Sequence, residues 1–170
     1  SRARASGDIR ANHYGVSDMD DANALYDRVV DELLAISNFS EGTRLLDVGC
    51  GTGDILTRLK AKGVEATGLD VSPEMARIAR ERGCRAEIYD GGRFPFPNDS
   101  FDVILIYQVF INLPDPDIAE GLIREAARVV RSGGVILIGA VPHPERSGFP
   151  THRVRWWVTA KIWLKMVLLG

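Results

Sequence analysis

The segment LLDVGCGTGD (Leu45–Asp54) sets three glycines at alternate positions directly behind an apolar run. The run reads as a buried strand, and Gly49, Gly51 and Gly53 read as a turn whose backbone takes positive φ and admits a ligand closely. Behind the turn, Ile55–Lys62 keeps helical spacing up to Gly63. A strand, a bare turn and a helix in that order restrict the chain to few folds, most of which bind a ligand at such a turn.

The same unit recurs downstream. Val64–Val71 is a predicted strand; Ser72 follows as an N-cap with Pro73 at the first helical position, and Met75, Ile78 and Ala79 form an inner face up to Gly83. Arg85–Asp90 predicts a third strand and GGRFPFPNDS a loop. Phe101–Val109 is an almost unbroken apolar run, a fourth strand that needs cover on both faces. Ala119, Leu122, Ile123, Ala126, Ala127 and Val130 make a helical stripe, RSGG ends it, and Val135–Val141 predicts a fifth strand. Upstream, Ala22, Leu25, Tyr26, Val29, Leu33 and Leu34 predict a first helix, with Asp18, Asp20 and Asp21 suited to its N-terminus. Such alternation predicts an α/β fold, a doubly wound, mostly parallel sheet with helices on both faces.

With 45% apolar residues among 170, the chain reads as one domain with a substantial core. It divides into an N-terminal arm and helix (1–42), a ligand-binding core (43–141) and a C-terminal segment (142–170). A net charge of −2 leaves no electrostatic footprint for general nucleic-acid binding, so no nucleic-acid partner is expected. Two cysteines, Cys50 and Cys84, cannot form a secreted disulfide framework, and no signal segment opens the sequence, so the expected location is cytoplasmic. Neither H-E-x-x-H nor a paired C-x-x-C pattern occurs, and no metal is expected.

Asp70 closes the second strand at roughly the 20-residue spacing at which an acid accepts from ribose hydroxyls, which points to adenosine. Where a dinucleotide fingerprint wants its third glycine or an alanine, Asp54 stands instead. A carboxylate facing a pyrophosphate in a partly dry site costs on the order of several kcal/mol. S-adenosylmethionine offers adenosine, no phosphate and a cationic sulfonium. A nucleotide-dependent oxidoreductase is disfavoured by the same residue.

Four blocks, LLDVGCGTGD, GLDVSPEMARIAR, YDGGRFPFPNDSFDVI and VVRSGGVILIG, occur in this order between about Thr43 and Val141. In them the sequence resembles the class I, Rossmann-like S-adenosylmethionine-dependent methyltransferases. The resemblance implies methyl transfer to a small-molecule or lipid-like acceptor, leaving S-adenosylhomocysteine. It also implies that Asp47, Gly49, Gly51 and Gly53 line the methionine and ribose portion, with Cys50 between the glycines as a small filler. Asp70 would take the ribose hydroxyls and Val71 the adenine face. Asp90 would accept from the adenine amino group, the Gly91 N–H would donate to a ring nitrogen, and Tyr107 and Gln108 would lie near the reacting methyl. Tyr14, in the arm, either closes on the methionine carboxylate or belongs to a surface segment.

Relatives often carry histidines after the fourth strand, where Phe110, Ile111 and Asn112 stand here. The catalytic assignment is therefore open among Gln108, Asn112 and His143. The family usually continues after its fifth strand with a helix and two more strands, the last antiparallel. Few residues follow Val141, so three readings are open: a truncated segment, segments missing from within the numbering, or a sheet that lacks its last strands. The tail VRWWVTAKIWLKMVLLG is helix-compatible, with Lys161 and Lys165 on a narrow polar strip. A lid or core helix, a self-association surface and a peripheral membrane helix are all open for it. A non-catalytic S-adenosylmethionine-binding or scaffold domain is the alternative to an enzyme.

Overall fold

The computed structural model describes residues 19–36, 39–113, 115–139 and 163–166. Helix α1 (Met19–Ile36) precedes strand β1 (Leu45–Val48), helix α2 (Asp54–Ala61), β2 (Ala66–Asp70), α3 (Pro73–Glu81) and β3 (Arg85–Ile88). Then come β4 (Phe101–Tyr107), a 3-10 turn at Phe110–Asn112, α4 (Pro116–Val129), β5 (Val130–Gly139) and β6 (Trp163–Met166). The strands form one sheet in the order β3-β2-β1-β4-β5-β6, and every pairing is parallel. The winding reverses between β1 and β4, so the carboxyl ends of these neighbours flank the crevice where doubly wound sheets receive ligands.

Alternation along the central strands explains why both faces are covered. Val103, Leu105 and Tyr107 of β4 join Leu45 of β1 in a cluster with Val29, Val30 and Leu33 of α1. Ile104 and Ile106 join Leu46 and Val48 in a second cluster with Ala119, Ile123 and Ala126 of α4. Burial of that many aliphatic side chains, at roughly 1.5–3 kcal/mol each, supplies the main term that fixes the register. α3 starts where the sequence places it: the Ser72 hydroxyl accepts from the Met75 N–H at 3.3 Å, with Pro73 opening the first turn.

Two expectations are corrected. β5 begins at Val130, with RSGG inside the strand as an irregularity: Phe101 pairs with Val130, but Val103 pairs with Val135. Gly133 takes φ 74 there, and regular pairing resumes at the residue expected to open the strand. In the tail, Trp163–Met166 is a strand and not part of a helix. It pairs with Val135–Ile138, satisfying the edge that β5 would otherwise leave open. A short apolar run fits either period, and the vacant ladder decides between them. β6 thereby adds a sixth strand, and no antiparallel pair occurs among the described strands. No helix among the described residues is long and apolar enough to cross a membrane.

Candidate functional site

The glycine turn is fixed by its own hydrogen bonds. The Gly49 and Cys50 N–H groups both donate to the Leu69 carbonyl, at 2.7 and 3.2 Å, binding the turn to β2. Gly49 has φ 74, and a Cβ there would lie 2.4 Å from Val109 Cγ2, so the turn and the segment behind β4 touch only because that atom is absent. Gly53 caps α2 in the left-handed region, and a Cβ there would lie 3.2 Å from Ala79 Cβ of α3.

Asp70, the last residue of β2, is buried. Its Oδ2 accepts from the Gly51 N–H and its Oδ1 from the Ser72 N–H, both at 2.8 Å. One carboxylate thus ties the turn to the start of α3, and each oxygen keeps a lone pair for a further donor. Asp47 lies one strand over, in register with Gly68 of β2 and Leu105 of β4. It is 2% exposed, and its Oδ2 has no hydrogen-bond partner among the described residues. Burial first, and then the negative charge of Asp70, raise its pKa to about 8. Asp54 contrasts with it. Burial acts to raise its pKa, but the Thr52 hydroxyl at 2.7 Å and Arg82 at 3.0 Å outweigh that effect and hold it below the ordinary value. The charge that excludes a pyrophosphate in the sequence argument is therefore partly neutralised by Arg82.

These groups open on a cavity of about 430 Å³. Asp47, Gly49, Cys50, Gly51, Asp70, Val71 and Gly91 are among its lining residues. Tyr107, Gln108 and Asn112, at and behind the end of β4, line it too. Gly53 is not among the lining residues, because it faces the α2–α3 contact. Asp90 is not either: it is exposed, and its Oδ1 accepts from the Gly92 N–H at 2.9 Å. Tyr14 and His143 lie outside the described residues. For Cys50, burial and then Asp47 and Asp70 push the thiol pKa up, the reverse of what a nucleophile needs.

Gln108 is one of two non-glycine residues at positive φ among those described, at 57°. Its carbonyl accepts from the Asn112 side-chain amide at 2.9 Å, and its N–H donates to Gly139 O at 3.3 Å. A left-handed glutamine held from both sides at the cavity wall is strain of the kind that collects at functional sites.

Sequence reasoning missed several walls. Asn23 and Tyr26 of α1 line the cavity, held by Arg58, which donates to the Asn23 side chain at 2.8 Å and stacks 5.5 Å from the Tyr26 ring. Met75, Tyr89, Leu113, Ile118 and Leu122 complete the apolar lining. Tyr26, Met75 and Leu122 belong to helical stripes that read as core, and a cavity wall continues the core face without changing its period.

An all-parallel order with the cavity at the carboxyl ends of β1, β2 and β4 defines the class of α/β proteins that bind small ligands at the strand crossover. The family's sequence profile, described as a methyltransferase domain, matches residues 46–138, and the chain belongs to that family. It is similar to a demethylmenaquinone methyltransferase of Tropheryma whipplei, with 36% identity over 117 residues, covering 66% of this chain and 48% of the relative. It is also similar to the 27-O-demethylrifamycin SV methyltransferase of Amycolatopsis mediterranei, with 34% identity over 140 residues, covering 75% and 50%. Among solved structures it resembles the [4+2]-cyclase SpnF, with a TM-score of 0.56 and 34% identity, covering 65% of this chain and 43% of that one. The chain spans about half the length of the curated relatives it matches.

Proposed function

We propose that the cavity binds S-adenosylmethionine and that the protein of which this chain is part transfers its methyl group to a small, largely apolar acceptor. The observation that carries the reading is that the ionisable side chains of the lining are acids with no cation among them. Asp47, Asp54 and Asp70 are its ionisable carboxyl groups, and neither lysine nor arginine lines the cavity among the described residues. A cationic adenosyl ligand suits such walls, whereas a pyrophosphate does not. The orphaned Asp47 Oδ2 is the fit test, because a buried acceptor without a donor calls for one from the ligand. Asp70 would take the ribose hydroxyls on its remaining lone pairs, and Val71, 56% exposed although apolar, would gain cover from the adenine ring.

When bound, the donor would supply an activated methyl on a positively charged sulfur, and an oxygen or carbon acceptor would release its proton to solvent as the new bond forms. The chain's part is alignment, which in favourable cases contributes roughly 7–11 kcal/mol. Gln108, locked by Asn112 and Gly139, offers an amide to orient a neutral acceptor group. Val109, Leu113, Ile118 and Leu122 exclude water around it. The names of the two curated relatives, a demethylmenaquinone methyltransferase and a 27-O-demethylrifamycin SV methyltransferase, support a small-molecule acceptor. The likeness to a [4+2]-cyclase favours a second reading, a domain that holds the adenosyl ligand without transferring its methyl.

Incubation with methyl-labelled S-adenosylmethionine and a panel of demethylated quinones and rifamycins separates the two. Label in an acceptor supports transfer; ligand binding without label across the panel supports the second reading. Asp70→Ala is expected to weaken S-adenosylmethionine binding by about 1–3 kcal/mol, and an unchanged Kd contradicts its assignment.

A further inference from the structure

We propose that ligand binding at this cavity is coupled to loss of a proton from Asp47: the ligand-free protein holds this residue as a neutral acid, and the cationic amino-acid end of the donor takes the place of that proton. The inference rests on the reading of the cavity as a donor site.

Its basis is the surroundings of one side chain. Asp47 stands on a central strand with a glycine on one side and a leucine on the other, and its Oδ2 meets no donor among the described residues. From β2 it faces Asp70, whose oxygens are occupied by the Gly51 and Ser72 N–H groups and which brings only negative charge. The turn contributes Cys50, with Cys84 beyond it, and both thiols have raised pKa values. The cavity that Asp47 lines is completed by Tyr107 from β4 and by Asn23 and Tyr26 from α1, none of them a cation. α2 contributes Asp54.

The guanidiniums bonded to lining residues are committed elsewhere. Arg58 pairs with Asp27 at 2.7 Å, and Arg82 pairs with Asp54 at 3.0 Å. A buried carboxylate with no cation and an acidic neighbour is most stable protonated, which agrees in direction with a pKa raised to about 8. An ammonium arriving with the ligand reverses that balance. The O–H bond of Asp47 breaks, its proton passes to solvent, and the resulting carboxylate pairs with the ammonium. By linkage, affinity falls as pH drops below the ligand-free pKa, by up to about tenfold per pH unit.

Isothermal titration of S-adenosylhomocysteine into the wild-type chain at about pH 6.5, in two buffers of different ionisation enthalpy, reads the proton directly. The expected result is release of close to one proton per ligand, together with a Kd that tightens as pH rises towards 8. Asp47→Asn is expected to release none and to lose the slope. Should that variant fail to bind, infrared difference spectra of the wild type decide, with a protonated-carboxyl C=O band expected to vanish on ligand addition. Binding with no net proton exchange overturns the proposal, as does a release that persists in Asp47→Asn or a band that stays. Failure of the wild type to bind S-adenosylhomocysteine at all overturns the donor-site reading itself, and this inference with it.

Discussion

Asp47 and Asp70 are one strand apart in the same crevice, yet their surroundings differ. Backbone N–H groups meet both oxygens of Asp70, whereas Oδ2 of Asp47 meets none among the described residues. A carboxyl whose pKa is raised from 3.8 to about 8 on folding binds its proton more tightly in the folded chain. It therefore favours folding at low pH, and that contribution is lost as pH climbs from about 4 to about 8. Asp47→Asn removes the dependence, so its advantage in Tm over the wild type should widen between pH 5 and pH 8. A difference in Tm that stays constant over that window contradicts the assignment. Gly49→Ala tests the turn: with φ 74 and Val109 Cγ2 at 2.4 Å from the added carbon, urea denaturation should show a loss of about 1–3 kcal/mol. A neutral result would mean that the turn is not pinned against Val109.

At the scale of elements, the amino ends of the central strands are clamped by a single acid. Asp102 of β4 accepts from the Arg44 N–H at 2.8 Å and pairs with the Arg44 and Arg131 side chains, joining the starts of β1, β4 and β5. Burial acts to raise its pKa, but the Arg44 N–H, Arg131 and the Arg44 guanidinium outweigh that and bring it to about 2. The sign is opposite to that of Asp47: the stabilisation is present above about pH 4 and is lost as pH falls through 2. Asp102→Asn should lower Tm at neutral pH and match the wild type near pH 2; an equal Tm at neutral pH contradicts it.

The element order from α1 to β5 was legible in the sequence because each unit carries both a period and punctuation, such as the Ser72-Pro73 start of α3. What was not legible depends on partners distant in the chain. The strand at Trp163–Met166 needs the open edge of β5, and RSGG enters the ladder because β4 lies beside it. In the site, Asp70 and the glycines announced themselves by spacing. Asn23 and Tyr26 did not, since their role depends on α1 lying beside a cavity that residues far along the chain complete. The left-handed Gln108 is invisible for the same reason: its conformation is imposed by Asn112 and Gly139.

For the whole molecule, a sheet that reverses its winding between β1 and β4 leaves a crevice there, and its lining combines three acids with apolar and amide groups. That combination suits the proposed pairing of a charged donor with a neutral acceptor. The most direct measurement is calorimetric titration of the purified chain with S-adenosylmethionine and, separately, with NAD. The account predicts saturable binding of the first, abolished when S-adenosylhomocysteine already fills the site, and no heat from the second. Binding of NAD with none of S-adenosylmethionine would contradict it.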